Sequence, residues 1–238
     1  MPAQEDNWSS EVCFYQHPPD DLYSHTRQAY QHSASFVPKL ATKIVQWLDP
    51  QDGDAILDVG CGDGVLTLEI ARSATLKSIV GIDSSPSMIE AAERAAGDGH
   101  RPAQFIVRDA NALASGELLT PSSFDKAFSN AALHWILRPQ ESRSNLFRSV
   151  RDMLKPGGTF AFEMGGLGNV SELRCALLMA VARRVGLEKA QEADPWFFPD
   201  EEWVTDVMEQ EVGGWKIEKV EREWRPTTAD QGGCGGVD

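Results

Sequence analysis

A short apolar run, Ala55-Ile56-Leu57-Asp58-Val59, leads directly into Gly60-Cys61-Gly62-Asp63-Gly64 and then into the helical pattern Val65 to Arg72. The run reads as a buried strand, and the glycines let the backbone turn tightly and approach another molecule where a Cβ would collide. A strand, a glycine turn and a helix in this order point to an α/β architecture. The spacing is G-x-G-x-G, which differs from the dinucleotide pattern G-x-G-x-x-G and disfavours a nicotinamide-dependent oxidoreductase. Taken alone, the turn also fits a ligand-free connection.

The alternation continues along the chain. Ser35 to Leu48 carries Phe36, Val37, Leu40, Ile44, Val45 and Leu48 at helical spacing and stops before Pro50. Ser78 to Ile82 reads as a second strand, and Ser85 can cap a helix that starts at Pro86 and runs to about Ala96. Further strands are expected at Gln104 to Val107, Phe124 to Phe128 and Thr159 to Phe162, with a helix from Glu141 to Leu154 before Pro156-Gly157-Gly158. Alternating strands and helices predict right-handed crossovers, and so a Rossmann-like, doubly wound, mainly parallel sheet with helices on both faces. Its binding crevice should lie beyond the strand C-termini. Residues 1–32 lack a clear period and read as a loose leader, 33–225 as one domain, and 226–238, with Gly232, Gly233, Gly235 and Gly236, as a flexible tail.

Charge narrows the partners. Thirty-six acidic against 22 basic residues give a net charge of −14, which opposes phosphate backbones and favours a small-molecule partner over nucleic acid. No apolar run reaches membrane-spanning length, and Met1 to Ser10 lack the basic start and apolar centre of a secretion signal, so a cytoplasmic location is expected. Cys13, Cys61, Cys175 and Cys234 are too scattered for paired metal spacing, so neither metal nor disulfides are implied. Oligomeric state is left open.

Asp83 closes the second strand, where a carboxylate can accept hydrogen bonds from two ribose hydroxyls; capping of the following helix is the alternative. With these segments on the page, the chain resembles the class I S-adenosylmethionine-dependent methyltransferases, through Ile56 to Gly64, Gly81-Ile82-Asp83-Ser84-Ser85-Pro86-Ser87-Met88-Ile89 and Leu154-Lys155-Pro156-Gly157-Gly158. Ser129-Asn130-Ala131-Ala132-Leu133-His134-Trp135 and Phe162-Glu163-Met164 are similar to the trans-aconitate methyltransferase-like branch. The resemblance implies S-adenosylmethionine as the donor, with Gly60, Gly62 and Gly64 around its methionyl part and Asp83 on its ribose. It puts Asp109 and the Ala110 backbone at the adenine and Asn130 near the ammonium, while Asp58, Cys61, Ser84 and Met88 complete the donor site. Tyr30, followed by Gln31 and His32, falls in a segment expected to cover the donor.

Catalysis of methyl transfer rests on alignment and exclusion of water. A carboxylate acceptor needs no base, whereas a hydroxyl benefits from one. His134 is the candidate for a catalytic or acceptor-facing role and Trp135 for an acceptor wall, with packing at the sheet edge as the alternative for both. Asn-Ala-Ala-Leu at 130–133 departs from the Asn-Pro-Pro-aromatic motif of adenine and glutamine amino methylation. The branch resemblance implies a small carboxylic acid; natural-product hydroxyls and a donor-binding protein with little activity are the alternatives. Trp215 to Trp224 reads as a late strand with no second strand after it, so the last edge strand of the sheet is expected to be missing. Its open backbone groups then need water, the leader or another chain.

Overall fold

The computed structural model describes residues 8–15, 37–97, 103–113 and 119–224. Among the described residues seven strands form one sheet: β1 (Trp8–Tyr15), β2 (Ala55–Val59), β3 (Ser78–Asp83), β4 (Ala103–Val107), β5 (Phe124–Asn130), β6 (Leu154–Gly165) and β7 (Trp215–Glu223). Their order is β4-β3-β2-β5-β6-β1-β7, and every neighbouring pair is parallel. The principal helices are α1 (Val37–Leu48), α2 (Val65–Ser73), α3 (Pro86–Ala96), α4 (Leu133–Ile136), α5 (Arg143–Met153), α6 (Ser171–Val185), α7 (Leu187–Glu192) and α8 (Glu201–Thr205). A π-helical segment, Asp206–Val212, extends α8.

Alternation of side chains along the strands separates two cores. Ile56, Ile79, Phe128 and Ala161 meet Ile44 and Leu48 of α1 and Ile70 of α2 on one face. Leu57, Val80, Ala127, Phe160 and Phe162 meet Leu133, Leu146, Phe147, Val150 and Met208 on the other. Both faces of every central strand are thus covered, which is why β2 is buried throughout and reads as a continuous apolar run.

The expected strands and helices are present with shifted ends, the largest shift being at β6. It begins at Leu154, and its register with β5 slips between Phe124 and Lys126, so Lys155-Pro156-Gly157-Gly158 bulge opposite Asp125. Lys155 Nζ donates to Asp125 across the bulge at 2.7 Å.

The N-terminal region departs from the reading as a loose leader. Trp8–Tyr15 is a strand inserted between β6 and β7, pairing Ser9 with both Thr159 and Lys216. The physical reason is that β6 and β7 would otherwise each present a row of unsatisfied N–H and C=O groups. β7 keeps one open side, and among the described residues no strand covers it. That edge carries Lys216, Glu218, Lys219, Glu221 and Arg222, charges that discourage edge-to-edge pairing. Tyr30, Gln31, His32 and the tail 226–238 lie outside the described residues. Among the described residues, no helix is long and apolar enough to cross a membrane.

Candidate functional site

The C-terminal ends of β2 to β5 carry most of the residues singled out from the sequence. Gly60, Gly62 and Gly64 all have positive φ, at 78°, 55° and 76°. Their surroundings differ. A Cβ on Gly60 would overlap that of Ala132, and one on Gly64 would come within 2.8 Å of the Phe105 ring, whereas one on Gly62 would meet nothing within 4 Å. Gly60 and Gly64 are therefore demanded by internal packing, and Gly62 is the glycine that faces open space.

The turn is braced from β3. Ile82 O accepts the N–H groups of Gly60 and Cys61 at 2.8 and 2.9 Å. Asp83 Oδ2 accepts from the Gly62 N–H at 3.1 Å and Oδ1 from the Ser85 N–H at 2.8 Å. Asp83 thus holds both the glycine turn and the start of α3, and each oxygen keeps acceptor capacity for a hydroxyl. Ser84 is exposed beside it and Met88 is half-buried on α3. The Cys61 N–H is spent on Ile82, its sulfur lies where a Gly81 Cβ would come within 2.9 Å, and burial pushes its thiol pKa up. Cys61 is a packing residue in an inert setting.

Asp58, 2% exposed, receives the Thr67 hydroxyl at 2.6 Å. Burial raises its pKa to about 7, against the lowering effect of the Thr67 bond and with a further push from Asp83. Two carboxylates beside a turn open at Gly62 form an acidic pocket that favours a cation.

Asp109 is exposed, and its Oδ1 caps Asn111 N–H at 2.9 Å, while Ala110 is buried beneath it. Two amide oxygens, Asn111 Oδ1 and Asn130 Oδ1, are buried with no hydrogen-bond partner. Buried acceptors of this kind are rare and suit the amine hydrogens of a ligand. Asn130 ends β5 and is followed by Ala131 at φ 53°, whose N–H reaches Glu163 Oε2 at 2.9 Å. Proline cannot adopt a positive φ, so this turn has a shape that an Asn-Pro-Pro segment does not take.

His134 is 6% exposed. Its Nδ1 accepts the Gly165 N–H at 3.2 Å, which fixes a neutral ring with its proton on Nε2. Phe197 N–H donates to His134 O at 2.9 Å. The ring packs at 5.5 Å from Trp135 and 5.7 Å from Phe198; Trp196 stacks on Phe198 at 5.8 Å and meets Trp135 edge-on. Trp135 is 51% exposed. Arg143 sits 3.5 Å over the Phe197 ring and donates to Leu137 O at 2.8 Å, locking α4 to the 194–199 segment. Sequence reading missed Thr67, Trp196 and Phe198. Only aromatic density in Trp196-Phe197-Phe198 signalled the last two.

A parallel sheet with an acidic pocket at its first turn, a carboxylate closing the next strand and unpartnered amides at β4 and β5 defines a Rossmann-like protein suited to a cationic nucleoside. Residues 56–158 match the family model described as a methyltransferase domain. The chain is 39% identical to an uncharacterized methyltransferase of Schizosaccharomyces pombe, over 88% of this chain and 76% of that one. It is 33% identical to a malonyl-[acyl-carrier protein] O-methyltransferase of Halalkalibacterium halodurans (63% of this chain, 55% of that one) and 33% identical to a trans-aconitate 2-methyltransferase of Streptomyces coelicolor (57% and 42%). The chain thus spans about half the length of these last two relatives. A solved SAM-dependent methyltransferase of Methanosarcina mazei superposes with a TM-score of 0.53 at 25% identity, covering 69% of this chain and 81% of that one. The chain belongs to the S-adenosylmethionine-dependent methyltransferase family.

Proposed function

We propose that the chain methylates the carboxylate of a small acid. S-adenosylmethionine supplies a methyl group made electrophilic by the sulfonium. Gly62 leaves room for its methionyl part, Asp83 takes the ribose hydroxyls, Asp109 with Ala110 and Asn111 meets the adenine, and Asn130 accepts from the ammonium. Asp83 balances the positive charge, and Asp58 adds to that balance on giving up the proton that its burial retains. Trp135 excludes water from the acceptor side.

The observation that carries the acceptor class is the Gly165 N–H to His134 Nδ1 bond. With Nδ1 occupied, Nε2 is a hydrogen-bond donor and has no lone pair for a proton. A hydroxyl acceptor gains little from such a group, whereas a carboxylate needs only to be held and oriented. The named activities of the malonyl-[acyl-carrier protein] and trans-aconitate relatives support the same acceptor class.

The test incubates the full chain with methyl-labelled donor and small-molecule extracts, then treats the products with alkali. An ester releases labelled methanol; an ether keeps its label, and alkali-stable product would overturn the carboxylate reading. His134→Gln is expected to lower turnover about tenfold with donor affinity unchanged.

A further inference from the structure

A third buried amide lies beyond the donor crevice. Asn169 is 2% exposed, and its Oδ1 has no hydrogen-bond partner. It follows the C-terminal end of β6, just as Asn130 closes β5 and Asn111 follows β4, so the three unpartnered oxygens lie along the ligand edge of one sheet. The first two sit where the proposed donor presents its ammonium and adenine amino hydrogens. Asn169 lies one strand further out, on the acceptor side.

Its neighbours are those of the acceptor pocket. A Cβ built on Gly165 would come within 2.5 Å of both Asn169 Nδ2 and Phe198 Cε1. Gly165 donates its N–H to His134 Nδ1, and His134 packs on Phe198. Asn169, His134 and Phe198 therefore converge on one glycine. The loop is held firmly: Leu167 N–H bonds Pro199 O at 2.8 Å, Asn169 N–H bonds Gly166 O at 2.9 Å, and the β-branched Val170 is kept at φ 43°. A tightly held, buried carbonyl without a donor is costly to the free protein, and a hydrogen-bond donor on a ligand would complete it.

We infer that Asn169 is a specificity-determining residue, whose side-chain carbonyl accepts a hydrogen bond from an O–H or N–H on the acceptor. The inference rests on the carboxylate reading for the group methylated. It narrows the substrate class to acids that carry a hydroxyl or amide N–H besides that carboxylate. A site built to receive a hydrogen-bond donor discriminates against analogues that lack one, because the buried carbonyl is then left bare.

The experiment compares the wild-type chain with Asn169→Leu and Asn169→Ala on matched acids, malate against succinate and 3-hydroxybenzoate against benzoate, with labelled donor at saturation. The wild type should favour the hydroxylated member at least about tenfold in kcat/KM, and Asn169→Leu should bring that ratio close to one. The loss should fall mainly on acceptor KM, with donor affinity by calorimetry unchanged. The unliganded Asn169→Leu protein should have an unchanged or raised denaturation midpoint, because it loses an unsatisfied polar group. A lowered midpoint with an unaltered ratio would assign Asn169 to structure and overturn the inference. So would equal wild-type rates within both pairs, or methylation of neither. Alkali-stable label in the same assay would sink the carboxylate reading alone and leave the selectivity ratio readable.

Discussion

Replacing Asp58 by asparagine should flatten the pH dependence of stability between about pH 4 and 7. Buried Asp58 is held near a pKa of about 7 against a reference value of 3.8. The folded protein therefore keeps a proton that the unfolded chain releases, and stability must fall as pH rises through this window. The gap between 3.8 and about 7 corresponds to roughly 4 kcal/mol, absent below pH 4 and fully expressed above pH 7. Asparagine preserves shape and can still accept the Thr67 hydroxyl, but it has no proton to lose. Other carboxylates titrate in both proteins, so the difference between the two curves isolates Asp58. The assay is urea denaturation of wild type and Asp58→Asn at half-unit steps from pH 4 to 8. The variant should gain on the wild type by several kcal/mol across the window, at roughly 1.4 kcal/mol per pH unit at most. Parallel curves would refute the claim that Asp58 stays protonated. Donor binding supplies a second readout: a cation beside Asp58 favours its ionised form, so wild-type binding near pH 7 should release a proton and Asp58→Asn binding should not.

Asp83→Ala should weaken S-adenosylmethionine by about 100-fold through lost charge-assisted ribose contacts, and unchanged affinity by calorimetry in a folded variant would reject the assignment. Gly60→Ala combines overlap with Ala132 and a positive φ, and should lower stability by at least about 2 kcal/mol in urea titration. Val12→Pro, in a strand paired on both sides, should expose β7 amides to hydrogen exchange while β2, β3 and β5 stay protected; uniform protection would count against the β1 pairing.

The central part of the fold was legible because its signals are local. Ala55 to Gly64 announces strand and turn in ten consecutive residues, and the Ser85-Pro86 start of α3 needs no distant partner to be recognised. β1 was invisible for the opposite reason. Trp8-Ser9-Ser10-Glu11-Val12-Cys13-Phe14-Tyr15 has no clear alternation, and it becomes a strand only because β6 and β7 bring two unpaired ladders to it. The site divides in the same way. Asp83 and Asn130 announce themselves as polar residues at strand ends, whereas Asn169 sits in a glycine-rich loop whose importance appears only once Gly165, His134 and Phe198 have met. Differences among the three glycines also required the neighbours Ala132 and Phe105, which lie well away in sequence.

The position of β1 also governs the order in which the native state can be assembled. Among the described residues β7 reaches the sheet only through β1, and Trp8 pairs with Trp215 about 200 residues away. As the ribosome delivers the chain from its N-terminal side, β2 to β5 can condense while β1 has neither neighbour. Its slot against β6 opens first, and the other side closes only after β7 has emerged. Loop-closure entropy rises slowly with length, by about 0.6 kcal/mol per doubling, so the long separation costs time more than stability. Pairings of such high contact order are expected to form late. Until then the edge of β6 is open to strands from other chains, which makes this half of the sheet the place where nascent protein most needs protection from aggregation.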